Sequence, residues 1–403
     1  MNSKLCDDLC APFSIEEVAA IVRWRRHLHA EPELSLCETD TQAFVRTALQ
    51  DMGWQPQDVG GTGLAIAVGH GSGPTLLLRA DMDALPIEEQ TGLDFASRRA
   101  GQMHACGHDA HMACLLGVAA RLAKYRDQLD FRLVLAFQPG EENGRGAVAM
   151  IEQGLLSGGW CGDLTRQVTA ALGLHVWSGL PVGHISATAG PIMANVDDFK
   201  IIVRGRGGHG ALPHQAIDAV VAASAVVQAL QAMVSRQNNP LEPLVVTVGS
   251  IHGGSAFNVI AETVELRGTC RSFGRQVADQ LPSWLRSTAV RAAGAYGAKA
   301  DCEYTRYTVA LHNDAHMAQL VAQCAGQMPN VATVDTELRM MAGEDFAYFA
   351  EQVPACFFFV GCGLADGSSE PHHSPRFVVD EAALPIGGEL MLRAAVKWLQ
   401  EAE

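Results

Sequence analysis

The sequence has no basic stretch and a deficit of positive charge. It carries 29 Lys and Arg residues against 44 Asp and Glu residues, so its formal net charge is −15. Nucleic-acid-binding domains carry a basic patch that neutralises phosphates, and proteins of the membrane surface carry clusters of Lys and Arg. We therefore expect neither a nucleic acid nor a membrane among the partners of this chain.

Signals for export and for membrane insertion are also missing. The first twenty residues contain acids where a signal peptide has bases, and they lack its apolar central region. We find no run of the roughly 18 apolar residues that a membrane-spanning helix needs. The 11 Cys are scattered and odd in number, which is typical of reduced thiols rather than of a disulfide framework. These features predict a cytoplasmic protein.

Several catalytic motifs are absent. The chain has no G-x-S-x-G nucleophile elbow, no H-E-x-x-H zinc motif and no P-loop. The segment Gly205–Gly210 matches G-x-G-x-x-G, but His209 interrupts the expected helix start. The next acid, Asp218, is too close to serve as the ribose-binding residue, which lies about 20 residues further on. A dinucleotide-dependent oxidoreductase is therefore a weak alternative.

The hydrophobic pattern predicts an α/β protein with an inserted domain. Apolar runs such as TLLLRAD, FRLVLAFQ and VTAALGLHVW alternate with amphipathic helical segments. This alternation favours a mostly parallel sheet with helices on both faces, formed by residues 1–190 and 309–403. Between them, residues 191–308 read β-α-β-β-α-β, which is the order of a ferredoxin-like α+β unit.

Metal-ligand side chains cluster in several segments of the first domain. The segment MHACGHDAH holds His104, Cys106, His108 and His111 within eight residues. Cys and His are natural ligands of zinc, and His also suits manganese. A polar helix start is the alternative, because Asp is a good N-cap residue. Further acids and histidines follow apolar runs, where we expect strand ends at one edge of the sheet: Asp81, Asp83, Glu141, Glu142 and His175.

Each of these residues also has a structural interpretation. The pair Glu141-Glu142 could be a solvated acidic loop, or one carboxylate could bind a metal while the other takes a proton from water. Asp81 could be a ligand, could orient a histidine, or could cap the strand. His175 could be a core histidine, and His372-His373 a surface pair in a loop with two prolines.

Taken in order, these segments resemble the aminoacylase/carboxypeptidase superfamily of dinuclear metallohydrolases. The similarity is greatest to its amidohydrolase branch, which includes hippurate hydrolases, N-acyl-amino-acid amidohydrolases and indole-acetyl-amino-acid hydrolases. It covers nearly the whole chain. The motifs that carry it as a set are RADMDALPIEE, MHACGHDAHMA, QPGEENGRGA, GLHVW, GRGGHGALPHQAIDA, GGSAFNVIAETVELRGTCRSF and GEDFAYF.

The resemblance implies a role for each matching residue. It implies five metal ligands: Cys106, His108, Glu142, His175 and His373. It leaves the choice between His372 and His373 open by one residue. It implies that Glu141 is the general base and that His209 stabilises the oxyanion, often across a dimer. Asn258 and Arg271 match substrate-binding positions, although a surface salt bridge is an equal alternative for Arg271. We include Asp81 among the catalytic residues. Many members of the superfamily have an H-x-D motif at this position, where this chain has Arg79-Ala-Asp81.

The implied function is metal-dependent hydrolysis of N-acyl amino acids with acetyl, benzoyl or aryl-acetyl groups. The hydroxide shared by two divalent ions attacks the amide carbonyl, and the ions are manganese, zinc, nickel or cobalt. The resemblance implies a homodimer, with the inserted domain as lid and dimerisation surface. A dipeptidase, a desuccinylase or a catalytically silent binding protein on the same fold are the alternatives.

Overall fold

The computed structural model describes residues 2–401, which divide into two units. The second unit comprises Pro191–Leu311 and Met340–Glu344, and the first comprises the other described residues. The segment Met340–Glu344 lies within 309–403, which the sequence pattern assigns to the first domain. It groups with the second unit because the Met340 amide donates to the Ile192 carbonyl at 2.9 Å and Ala194 bonds Ala342 in the same way.

The first unit is built on an eight-stranded mixed sheet. Its strands are β1 (Gln57–Asp58), β2 (Leu64–Val68), β3 (Thr75–Asp81), β4 (Arg132–Gln138), β5 (Val168–Pro181), β6 (His184–Ser186), β15 (Thr333–Asp335) and β16 (Ala355–Gly363). Their order is β1-β2-β4-β3-β5-β16-β6-β15. The four central strands, β4, β3, β5 and β16, are parallel to their neighbours in this group. All seven residues of β3 are buried, as expected where helices cover both faces of a sheet. The predicted fold class is confirmed.

Eight helices of the described residues belong to this unit. They are α1 (Ser3–Cys10), α2 (Ile15–Ala30), α3 (Thr39–Asp51), α4 (His108–Ala123), α5 (Gly146–Glu152), α8 (Ala315–Gly326) and α9 (Ala347–Ala350), with α10 (Ala383–Glu401) as an eighth at the end of the described chain. Helix α2 begins with a capping box, in which Ser14 and Glu17 satisfy each other's backbone amides. Glu17 also binds Arg121 of α4 at 2.6 Å, so the start of α2 is fixed to the last turn of α4.

The second unit has the ferredoxin-like order that its sequence predicts. Its main elements are β8 (Val196–Arg204), α6 (Ala219–Arg236), β10 (Leu244–Gly253), β12 (Thr263–Ser272), α7 (Arg275–Gly294) and β13 (Lys299–Thr308). The sheet order is β10-β12-β8-β13, and every pairing is antiparallel. Strand β8 alternates between buried and half-buried residues, because one face of the sheet packs against α6 and α7. Four short strands complete the chain: β7 (Gly190–Met193), β9 (Gly208–His209), β11 (Val259–Ile260) and β14 (Leu311–Asn313).

One helix among the described residues, α6, is long and apolar enough to cross a membrane by these two criteria. It buries Ala222, Val226, Leu230 and Met233 in the core of the second unit. A core helix satisfies the same criteria, so α6 is weak evidence for a membrane span. The cytoplasmic location stays a prediction.

Candidate metal centre

The start of helix α4 directs two histidines toward the end of strand β3. Gly107 precedes the helix with a φ of 89°, and a Cβ atom there would lie 2.4 Å from Cγ2 of Val176. Only glycine fits both this conformation and this close approach. The turn places His108 and His111 on neighbouring turns of α4, both fully buried.

Five of the predicted residues form two groups that share one sulfur atom. Cys106, His108 and His175 form the first group, and Cys106, Glu142 and His373 form the second. Within each group the candidate ligand atoms lie within 4.8 Å of one another. Sγ of Cys106 is 3.5 Å from Nε2 of His175, and Nε2 of His373 is 3.4 Å from Oε1 of Glu142. Two such groups around one thiol are candidate positions for two metal ions.

The donor atoms of His108 fit a cation. Nδ1 lies 2.8 Å from the carbonyl oxygen of Asp83, so this nitrogen carries the hydrogen, and the buried Nε2 has no hydrogen-bond partner. A backbone carbonyl that orients the far nitrogen in this way is typical of metal-binding histidines. Burial alone lowers the pKa of His108, but the carboxylates of Asp81 and Asp83 outweigh it and raise the pKa to about 10. The surroundings of His108 therefore favour positive charge.

The thiol of Cys106 has the same electrostatic surroundings. Burial raises the pKa of Cys106 well above its usual value, and the carboxylates of Glu142 and Glu141 raise it further. A thiolate in such a place needs a compensating cation. The residues present therefore suit divalent metal ions.

The turn that follows β4 is held by the buried carboxylate of Asp83, which lies just after the neighbouring strand β3. The backbone amides of Glu141 and Glu142 donate to the two oxygens of Asp83, each at 3.0 Å. Oε1 of Glu141 accepts from the backbone amide of Asp345 at 3.4 Å. His108, Glu141 and Glu142 form a further group of ligand-type atoms. The two adjacent glutamates thus lie beside the Cys106 groups.

Asp81, which we expect among the catalytic residues, hydrogen-bonds two side chains outside the Cys106 groups, and its Oδ2 lies 3.7 Å from Nε2 of His108. Oδ1 accepts from Nδ1 of His111 at 2.6 Å, and Oδ2 accepts from Nη1 of Arg79 at 2.7 Å. Nε2 of His111 in turn accepts from the backbone amide of Val176, which follows His175. Through His111, Asp81 therefore orients strand β5 at Val176, the residue after His175. A catalytic role for Asp81 stays a prediction.

The structure distinguishes between the adjacent histidines His372 and His373. The ring of His372 stacks on Trp177 at 4.4 Å, and its Nε2 accepts from the backbone amide of Ser178 at 3.2 Å. His373 adopts a φ of 65°, and this conformation directs its ring to Glu142. His373 is therefore the candidate ligand, and His372 anchors its loop to β5.

Two further buried residues of the first unit have contacts that motif reasoning alone does not reveal. Arg79 is fully buried and binds Asp345 at 3.0 Å as well as Asp81. Burial raises the pKa of Asp345 to about 6, although Arg79 opposes the shift. The signal for both was present in the segments RADMD and GEDF, but their pairing across 266 residues needs the tertiary structure.

The remaining predicted residues lie in the second unit. His209 is exposed on β9, and the Gly210 amide next to it donates to the Asn258 carbonyl at 2.8 Å. His209 and Asn258 line one open pocket. Arg271 is half-buried near the far end of β12, and burial lowers the pKa of its guanidinium. Eight strand residues, about 26 Å, separate Arg271 from Thr263 at the start of β12, so the second unit does not bring Arg271 to the His209 pocket.

Comparisons with known proteins identify the family. Residues 77–397 match the family described as Peptidase family M20/M25/M40, and this chain belongs to it. The chain is 40% identical over 381 residues to the N-acetyl-L-cysteine deacetylase of Bacillus subtilis, covering 94% of this chain and 88% of the relative. It is 37% identical over 383 residues to the IAA-amino acid hydrolase ILR1-like 4 of Arabidopsis thaliana, covering 94% and 85%.

A solved structure agrees with these relatives. The Bacillus subtilis YXEP protein, described as a dinuclear metal binding peptidase from the M20 family, superposes with a TM-score of 0.82 at 32% identity. The superposition covers 96% of this chain and 99% of that protein. The resemblance to the dinuclear metallohydrolases that the motifs indicate is confirmed.

Proposed function

We propose that this protein is a metal-dependent amidohydrolase that cleaves the amide bond of N-acyl amino acids to a carboxylic acid and a free amino acid. One observation carries the proposal: two groups of ligand-type side chains share Cys106, and the carboxylate of Glu141 lies beside them. The named activities of the Bacillus subtilis and Arabidopsis relatives, a deacetylase of an N-acyl amino acid and a hydrolase of amino-acid conjugates, support the substrate class.

Two divalent ions, manganese, zinc, nickel or cobalt, would be held by five side chains. The group of Cys106, His108 and His175 and the group of Cys106, Glu142 and His373 would hold them. When bound, such ions lower the pKa of water toward neutrality and polarise the amide carbonyl. The backbone carbonyl of Asp83 accepts from Nδ1 of His108 and so orients its ring. The carboxylate of Asp83 accepts from the backbone amides of Glu141 and Glu142 and so orients the two glutamates.

Glu141 serves as the proton carrier in this proposal. Its carboxylate removes a proton from the attacking water and returns it to the leaving amine, and its contact with the Asp345 amide holds it in position. His209 donates to the developing oxyanion. Arg271 pairs with the free carboxylate of the amino acid, a bidentate contact that guanidinium groups favour, and Asn258 contributes a further polar contact.

We further propose a homodimer through the second unit, which serves as lid and dimerisation domain. Strand β10 lies at the edge of its sheet and pairs only with β12 among the described residues. Ile251 of β10 is 52% exposed, and α6 contributes Val220 and Val221, which are 46% and 45% exposed. An apolar edge of this kind is a ready site for strand pairing. The distance between Arg271 and the His209 pocket along β12 supports a site in which the partner supplies His209 and Asn258.

A substrate screen with defined metals tests the activity. The metal-free protein is loaded with Mn²⁺, Zn²⁺, Ni²⁺ or Co²⁺ and offered N-acetyl, N-benzoyl and indole-acetyl amino acids, with dipeptides and N-succinyl amino acids for comparison. We expect two metal equivalents per chain and release of free amino acid from the N-acyl series. One equivalent per chain would contradict the dinuclear site. Faster cleavage of dipeptides or N-succinyl amino acids would transfer the assignment to those classes.

Sedimentation analysis tests the dimer. The variants Ile251→Asp and Val221→Asp place charge on the apolar edge, whereas Leu164→Asp places it on an exposed leucine of the first unit. We expect monomers from the first two and a dimer from the control. A wild-type chain that sediments as a monomer would contradict the dimer proposal.

A further inference from the structure

The turn that carries Glu141 and Glu142 is gripped by a second buried carboxylate, which belongs to the segment before α3. Glu38 is fully buried, and its Oε1 accepts from the backbone amide of Gly140 at 2.9 Å. The two residues are 102 positions apart in the chain. Together with Asp83, Glu38 therefore holds three consecutive amides, those of residues 140–142.

The rest of the Glu38 side chain is tied into its own segment. Oε1 also accepts from the backbone amide of Leu36 at 2.8 Å, and Oε2 accepts from the hydroxyl of Thr62. Leu36 adopts a φ of 63°, which is costly for a residue with a branched side chain. Its Cδ2 lies only 2.7 Å from where a Cβ on Gly140 would be, so Leu36 packs directly over the glycine of the turn.

From these contacts we infer that Glu38 is a positioning residue for hydrolysis, because it fixes the turn from which the Glu141 carboxylate projects. The inference rests on the proposed function. A carboxylate that must transfer protons at a defined place loses much of its effect when it is misplaced by about 1 Å. Gly140 has a φ of 61°, which glycine adopts without strain, so its conformation alone does not fix this end of the turn. Its carbonyl accepts from the amides of Arg145 and Gly146 within the same turn, whereas Glu38 and Leu36 attach the turn to the segment before α3.

The chain offers a matched control in Glu33. This carboxylate is also buried in the segment before α3, with 4% exposure. It accepts from the Thr41 amide at 2.7 Å and from Arg99 at 3.1 Å, and among the described residues no hydrogen bond joins it to residues 139–142. Glu33→Ala and Glu38→Ala both remove a buried carboxylate and leave backbone amides unpaired. Only Glu38→Ala releases Gly140.

Hydrogen exchange and steady-state kinetics together test the inference. Amide exchange is followed by mass spectrometry in peptides that span residues 139–146, without substrate. Hydrolysis of N-acetyl-L-cysteine is measured at equal distance below each variant's unfolding midpoint, with metal content determined in parallel. For Glu38→Ala we expect faster exchange in this turn and a kcat at least about tenfold lower, with KM within about twofold and both metals retained. Glu33→Ala should leave kcat and the exchange of this turn unchanged.

Two conservative variants sharpen the test. In Glu38→Gln the amide oxygen still accepts from Gly140 and the Thr62 hydroxyl can rotate to accept, so kcat should stay within about twofold of wild type. Glu38→Asp retains the charge on a shorter side chain that cannot reach Gly140, so kcat should fall even if Glu38→Ala does not fold. Equal losses in Glu33→Ala and Glu38→Ala, or an unchanged turn exchange in Glu38→Ala, would overturn the inference. A wild type that cleaves no N-acyl amino acid would refute the proposed function instead, while the exchange result would still decide whether Glu38 holds the turn.

Discussion

The candidate site residues of the two units differ in how they are held. In the first unit, His108, Asp81 and Asp83 are buried, and each contacts residues from other elements of the same chain. In the second unit, His209 is exposed, and beside Asn258 the ring of Phe257 is fully exposed. Burying a polar group without a partner is costly, so a buried site must be over-determined by its own chain. We expect the final geometry of an exposed site to depend on the ligand or subunit that binds it.

The largest effect should follow from removal of the shared sulfur. Cys106→Ala takes one ligand from both groups at once, so we expect loss of both metals and of all turnover above background. Elemental analysis after metal loading measures the first effect. Cys324→Ala is the control, because Cys324 is buried in α8 and belongs to neither group. A Cys106→Ala protein with full metal content would contradict the role of Cys106 as a ligand, and with it the description of the first-unit site.

The next effect concerns the two adjacent glutamates. Glu141→Gln keeps the size of the side chain but removes the base, so we expect kcat to fall by roughly 10²- to 10⁴-fold with both metals bound. Glu142→Gln should weaken metal binding, because a neutral oxygen is a poorer ligand than a carboxylate. Isothermal titration with Mn²⁺ or Zn²⁺ and turnover assays separate the two. The opposite pattern would mean that the roles are exchanged.

A substitution in the exposed pocket of the second unit should change the activity but not the stability. His209→Ala should lower kcat by roughly 10²- to 10³-fold, the usual loss for an oxyanion donor, without change in the unfolding midpoint. His214→Ala, also exposed and five positions further along the chain, is the control. Full activity of His209→Ala would exclude His209 from the reaction.

Mixing tests whether His209 acts across a dimer. Glu141→Gln and His209→Ala subunits are combined and allowed to exchange. If the partner supplies His209, mixed dimers contain one intact site, and recovery is limited to about half of the wild-type activity. No recovery after proven exchange would mean that His209 serves its own chain.

The smallest effect should come from a buried ion pair away from the site, the pair of Glu17 with Arg121. Hydrogen bonds from Arg121 and Lys124 outweigh burial and lower the pKa of Glu17 to about 2. Because this folded-state pKa is depressed, the stabilisation is complete above about pH 4.5 and is lost as the pH falls toward 2. Thermal unfolding between pH 6 and pH 3 should therefore show a smaller drop in midpoint for Glu17→Gln than for wild type. Glu152→Gln, at an exposed position of α5, should retain the wild-type slope.

Periodicity and motif order predict most of the fold but only part of the site. Alternating apolar runs locate β2 to β5, and the β-α-β-β-α-β order identifies the second unit. The expected strand end at His175 is wrong, because β5 continues to Pro181 through pairing with β16. That pairing comes from a segment about 180 residues later in the sequence, which a local pattern does not report.

The contacts that orient the site are still less visible in the sequence. The choice of His373 over His372 depends on one positive φ and on stacking against Trp177. The contacts of Asp81 with His111 and of Glu38 with Gly140 join residues 30 and 102 positions apart. Such pairs are set by how the elements pack, and a single sequence carries no direct record of them.

The central place of β16 has a consequence for how the chain is made. Strand β16 pairs with β5 inside the eight-stranded sheet, yet the ribosome delivers it only after the whole of the second unit. Until then, nascent β5 presents an apolar, unpaired edge, the kind of surface that invites misassembly or a chaperone. The antiparallel sheet of the second unit and its two helices, from β8 to β13, are synthesised as one continuous stretch, and we expect them to fold first. His373 follows β16, so the centre is completed only after β16 has been synthesised.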